Sequence, residues 1–376
     1  MCGRHRTHGT TVHHNTGHCT NGPTGSSAMT DTDATITAVP PHEDHGFFGP
    51  GSVTWKVLSY PTAWTVGFQR TVAVEVLEPF LLASVADTGA VRNRPDVRYE
   101  RTLQYVATVA FGDSASAVKA ADVLMRIHRH IQGIEPISGQ RYDANRPDAQ
   151  LWIHLTQWHS TLLAYEVFGP GPLTPDEERQ YWAECRRAAE LQTIDLDDVP
   201  RDRAAMRAYY ERMRPRLAVT ARTHDVLWTL LDPPIPSDLP LAQRVARRVV
   251  RPVMRRATIA TLPRWLREMA GIRQSRIADA AIVALLRPVF RRASKDPAAM
   301  LEVLAVVSPG AQRVVAPAFL GVAPVRGVTV TPAEAWHRLG RPNPRAQYAE
   351  QVAARTDRLV DKAPRDPGAE HLLEFA

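Results

Sequence analysis

The residues best able to do chemistry lie between Arg98 and His159. Arg98-Tyr-Glu-Arg101-Thr102 opens the stretch, Ile127-His128-Arg129-His130 lies within it, and Leu151-Trp-Ile-His154-Leu-Thr-Gln-Trp-His159 closes it. Guanidiniums, a hydroxyl and imidazoles set among apolar residues are the ingredients of a buried polar pocket. On a helix, Arg98 neighbours both Arg101 and Thr102, three and four residues on. Two cations and a hydroxyl on adjacent turns suit anchoring of a ligand's carboxylates, or a hydrogen-bonded oxygen pocket. Ion pairing with Glu100, Asp96 or another surface acid is the ordinary alternative.

The histidines divide by periodicity. His128 shares a helix face with Leu124 and Ile131, and His154 lies on the stripe Leu151, Leu155, Trp158, Leu162 and Tyr165. A helical histidine is most often a satisfied structural residue. An imidazole on an apolar face can also be the proximal ligand of haem iron, its second ring nitrogen then needing an acceptor. His130 and His159 fall on other faces. The standard catalytic arrangements are missing: there is no Gly-x-Ser-x-Gly, phosphate loop, Cys-x-x-Cys, His-Glu-x-x-His or pair of Glu-x-x-His motifs. Cys185 has no evident histidine partner and reads as a packing residue.

The elements that must position these residues are helical. Ser52 caps a short helix carrying Trp55 and Leu58. Another helix runs from Pro61 to about Val76, and Leu81 to Val85 continue in helical character after Glu78-Pro79. A loop is expected across Asp87 to Pro95. Helices are then expected over about 97–111 and 115–132, the second capped by the Gly112-Asp113-Ser114 segment, followed by a long loop over 133–147. Pro147 stands at a helix N1 position. Thr174-Pro-Asp-Glu177 is a capping box. Pro200 to about Pro215 and Thr223 to Leu231 are further helices. From Pro240, Arg244, Arg247, Arg248, Arg251, Arg255 and Arg256 alternate with valines in a basic amphipathic segment interrupted by Pro252. Another helix is expected over 344–360. Val328-Thr-Val-Thr331 is the one appealing strand. The reading is an all-α multi-helix bundle.

Four segments follow: a polar, disordered tail over 1–45 with a true start at Met29, a helical core over 46–235, C-terminal helices over 236–330 packed on it, and a polar extension over 331–376. The 376 residues can bury a sizeable core, and 44% hydrophobic and 23% charged residues are ordinary for a soluble globular protein. The net charge of +7 comes mainly from arginine and has no nucleic-acid-binding motif beside it. The basic segment is either a solvated face or a peripheral contact with an anionic membrane. Three cysteines and no signal or spanning segment suit a cytoplasmic protein, soluble or peripheral at the membrane.

Taken in order, Gly51-Ser-Val-Thr-Trp55, Arg98-Tyr-Glu-Arg101-Thr102, Phe111-Gly112, Ile127-His128, Tyr142-Asp-Ala-Asn145, Leu151-Trp-Ile-His154 and Tyr165-Glu-Val-Phe168 resemble the MpaB-like oxygenases. That group shares its catalytic domain with the latex-clearing rubber oxygenases, and the likeness spans about Phe48 to Leu231. It implies a helical bundle enclosing haem b, held through a proximal histidine, and use of dioxygen on an apolar, isoprenoid or lipid-like substrate. Arg98-x-x-Arg101-Thr102 resembles the family's Arg-x-x-Lys-Thr element at the haem pocket. The resemblance makes His128 the iron ligand, with His154 as second choice or partner. It leaves Glu78, where many relatives carry histidine, as a distal acid/base or a packing and capping residue.

Overall fold

The computed structural model describes residues 39–87, 95–232 and 240–359. The expected start at Met29, most of the expected tail, and Asn93 of the expected loop lie outside the described residues. Chain order begins before Phe47. Asp44 is buried, and its carboxylate accepts from the Gly46 and Ser114 amides and the Ser114 hydroxyl.

Helix α1 (Val53–Leu58) starts at Ser52, whose hydroxyl accepts from the Trp55 amide. The orphan amides of Val53 and Thr54 donate to the Glu184 carboxylate, placing a negative charge at the helix N-terminus. A π-helical turn (Ala63–Gly67) runs into α2 (Phe68–Glu75), and α3 (Pro79–Asp87) follows. Such turns are rare and concentrate at functional sites. Beyond them lie α4 (Pro95–Phe111) and α5 (Ser114–His128), the latter capped by Asp113. Helix α5 ends four residues before the expected Gln132. The expected loop over 133–147 contains an antiparallel hairpin, β1 (Gln132–Ile134) with β2 (Arg141–Asp143). Its two strands of three residues are too short for a periodicity signal.

Helix α6 (Pro147–Phe168) is the axis of the core. Its buried residues occupy every face, so it is a core helix rather than an amphipathic surface one. Helix α2 and the π-turn cross it closely. Gly67 permits that approach, because a Cβ there would meet the Thr161 Cα at 3.2 Å and the Thr62 carbonyl oxygen at 3.0 Å. Around this axis stand α7 (Pro175–Ala189), with its Thr174/Glu177 capping box, α8 (Arg203–Met213) and α9 (Ala221–Leu231). Asp202, not Pro200, begins α8, because its carboxylate takes the Ala205 amide.

Helix α10 (Leu241–Thr261) continues through Pro252 without a break. Proline removes one internal hydrogen bond, and packing on α12 (Arg276–Ala293) holds the helix together. Helix α11 (Arg264–Met269) connects the two. Helices α13 (Pro297–Val307) and α14 (Pro309–Phe319) back α4 in a second apolar cluster that includes Leu103, Phe111, Leu301, Leu304 and Val315. Helices α15 (Pro332–Arg338) and α16 (Pro344–Leu359) rest on α5. Val328–Thr331 is extended but not a sheet strand; the Val328 carbonyl takes the His45 amide, and Val330 donates to Gly46. No helix of the described residues is long and apolar enough to cross a membrane.

Candidate functional site

Helices α2, α4, α5 and α8 bring Glu75, Arg98, Tyr105, His128 and Tyr210 into the interior. Each keeps some accessible surface, yet desolvation is the largest influence on its protonation. Together these describe groups largely shielded from bulk water in the interior of the bundle. Arg98 and Tyr105 lie seven residues apart on the same face of α4, two turns that look into it.

His128 ends α5. Burial, with the Arg98 charge nearby, lowers its proton affinity to about 4, so the imidazole is neutral at pH 7. Gln150 on α6 holds the ring: its carboxamide nitrogen lies 2.9 Å from Nδ1 and 2.7 Å from the Ala144 carbonyl. In this arrangement the amide donates to Nδ1 and the ring proton sits on Nε2. The Ala144 carbonyl, which can only accept, fixes this orientation, so freeing the Nε2 lone pair for a metal requires Gln150 to release Ala144 and turn its oxygen to an Nδ1–H.

Arg98 has no ion pair or hydrogen bond from its guanidinium among the described residues, although Glu75 lies within reach of its field. The ordinary alternative for this arginine does not hold for Glu100, which accepts from the Gly310 amide at 2.6 Å and caps α14. Arg101 is half-buried one turn on. Thr102 is exposed and its hydroxyl donates to the Arg98 carbonyl at 2.9 Å.

Glu75 was not legible as a site residue. Burial raises its carboxyl to about 8, against the opposing pull of Arg98 and a hydrogen bond from Thr156. Glu78 takes a different place. It is buried, accepts from the Leu81 amide at 2.8 Å as the cap of α3, and lies 3.7 Å from Arg216. The acid facing Arg98 is therefore Glu75, while Glu78 caps α3 and is itself raised by burial. An isolated carboxylate in the apolar run Val72-Ala-Val-Glu75-Val-Leu77 was the available signal.

His154 is 1% exposed and both its ring nitrogens are engaged: Nε2 lies 2.9 Å from the Cys185 carbonyl and Nδ1 lies 3.2 Å from the Gln192 amide. No lone pair is left for a metal without breaking these contacts. His154 is also the histidine neighbour of Cys185 that the sequence hid, with Sγ at 3.4 Å. Burial pushes that thiol well up, which keeps it protonated and inert. His130 is exposed on the surface, while His159 stacks edge-on with Tyr210 at 5.1 Å. Among the described residues, no three His, Cys, Asp or Glu side chains gather as a metal cluster.

The fold and site define a class: a helical bundle whose interior gathers the neutral His128, the Arg98 guanidinium and the protonated Glu75. The family model for the ER-bound oxygenase mpaB/B′/rubber oxygenase catalytic domain matches residues 55–292, and the chain belongs to this family. The match continues past Leu231 through α10 to the last turn of α12. No curated protein and no solved structure matches the chain.

Proposed function

We propose that the chain is a haem b-dependent oxygenase that uses dioxygen on an apolar, isoprenoid or lipid-like substrate. The observation that carries this reading is the pairing of His128, neutral and held by Gln150, with the Arg98 guanidinium, which bonds to no other described side chain and faces the same interior. The donor set fits the group. One neutral imidazole is what an iron carried in a macrocycle takes from a protein, and an unpaired guanidinium suits a propionate. The buried Tyr105 hydroxyl, which has no hydrogen-bond partner, is a further polar atom awaiting a ligand.

When bound, haem supplies the redox chemistry that brings dioxygen to an otherwise unreactive hydrocarbon. The chain's own residues do the rest. His128 would hold the iron, once Gln150 turns its carboxamide oxygen to the ring and so orients it. Arg98 binds an acidic group, with Arg101 and Thr102 on the adjoining turn. Glu75, protonated at neutral pH, can donate a proton at its carboxyl and take it back. Phe68 and Tyr99, packed edge to face at 5.3 Å, help to wall out water. The purified wild-type protein should show a Soret band that is absent in His128→Ala and kept in His154→Ala. Folded, colourless, iron-free protein from haem-supplemented cells refutes the reading.

Peripheral membrane contact is favoured by one further observation. Leu241, Val245, Val249 and Val250 are exposed on α10 beside the exposed Arg244 and Arg248. A helix with bare apolar residues and arginines on its outer face suits an anionic lipid surface. Wild-type protein should sediment with phosphatidylserine vesicles at low salt and lose this when Arg244, Arg247 and Arg248 become glutamine. Equal sedimentation of the two proteins refutes the contact.

A further inference from the structure

Arg70 on α2 is 2% exposed, which makes it the most deeply buried arginine among the described residues. Its Nη1 donates to the Ser160 hydroxyl at 2.5 Å and its Nε to the Thr261 carbonyl at 3.4 Å, and both partners are neutral. No carboxylate pairs with it among the described residues. The acid on the neighbouring turns of α6, Glu166, is already taken by a two-pronged contact with Arg203 at 2.7 and 3.1 Å. An interior cation without a counter-charge is costly, and proteins normally offset it with an acid or a bound anion.

Two further groups meet this guanidinium. The Tyr210 hydroxyl and His159 Nδ1 are both buried, and among the described residues their one polar neighbour is the Arg70 guanidinium beside the Tyr210 hydroxyl. Both feel the Arg70 charge. Tyr210 also feels Glu75, so the cluster stands next to the interior that holds Arg98 and His128.

From this geometry we infer that Arg70, Tyr210 and His159 form a carboxylate-binding site inside the bundle. Arg70 supplies the charge, and the Tyr210 hydroxyl and the His159 ring N–H supply hydrogen bonds. The carboxylate belongs either to a cofactor side chain or to an acidic end of the substrate. The first source rests on the proposed haem reading, whereas the second does not.

Binding measurements on the purified full chain separate the sources. Wild type, Arg70→Met, Arg70→Lys and Tyr210→Phe are titrated with haemin, haemin dimethyl ester, dodecanoate and dodecanol. If the site holds a cofactor carboxylate, Arg70→Met weakens haemin binding by about 10- to 100-fold, Arg70→Lys recovers part of it, and the dimethyl ester is unaffected. If it holds a substrate carboxylate, the same loss falls on dodecanoate and spares haemin and dodecanol. Dodecanoate binding that depends on Arg70 in a protein that binds no haemin upholds this site while refuting the haem reading. The inference is overturned if folded Arg70→Met binds haemin and dodecanoate as wild type does, as a water-filled pocket predicts, or if wild type binds neither. Should both Arg70 variants fail to fold, Tyr210→Phe decides. A several-fold loss for one carboxylate supports the site, and unchanged binding of both overturns it.

Discussion

Glu75→Gln should stabilise the protein, and by an amount that grows with pH. The side chain keeps its shape but no longer ionises. In wild type the carboxyl titrates at its usual 4.5 when unfolded and at about 8 when folded. The folded state therefore holds its proton more tightly. Wild type carries no penalty below pH 4.5, loses stability as pH rises from 4.5 towards 8, and is constant above. A shift of that size corresponds to about 5 kcal/mol, which the partial exposure of the side chain reduces to roughly half. Most of the change falls between pH 5 and 7. The buried His128 and His154, each lowered to about 4, act in the opposite window: their contribution is present above 6.5 and lost as pH falls towards 4. They occur in both proteins and cancel in the difference. Urea denaturation of the pair at pH 5, 7 and 9 is the assay. A stability difference that stays flat across that range would refute a desolvated Glu75.

Gln150→Leu should leave the fold intact and weaken haem retention by about 10- to 100-fold, because His128 loses the partner that orients its ring; haemin titration followed in the Soret region measures it. His154→Ala should cost about 2–4 kcal/mol in denaturant midpoint experiments, through an emptied core site and an unsatisfied Cys185 carbonyl, without loss of bound haem. Gly67→Val should cost about 1–3 kcal/mol or more, since its side chain has no room against Thr161; thermal unfolding would register this as a lowered Tm.

Much of the architecture was legible because its signals are local. Ser52, Asp113 and the Thr174/Glu177 box mark helix starts, and each does so through the expected side-chain contact. The errors have local causes too. Pro252 looked like a break because its missing hydrogen bond is visible in sequence, while the α12 packing that compensates for it is not. The 132–143 hairpin was too short to alternate. The site divided similarly. His128 and Arg98 stood out by residue type and helical face. His154 looked equivalent to His128 by periodicity, and only the three-dimensional arrival of Cys185 and Gln192 separates them. Glu75, Arg70 and Tyr210 come from helices far apart in the chain, so nothing in their sequence neighbourhoods announces that they meet.

The residues shared with the family stop at 292, yet the support of α4 does not. The side of α4 turned away from the interior rests on α13 and α14: Phe319 meets Phe111 edge to face at 5.6 Å, and the Gly310 amide is bonded to Glu100. The boundary drawn by kinship thus differs from the boundary of cooperative folding. A fragment cut at 292 would bare Leu103, Ala107 and Phe111, and the helix that presents Arg98 would lose its footing. Changes in α13 or α14 would therefore reach Arg98 through the seating of α4.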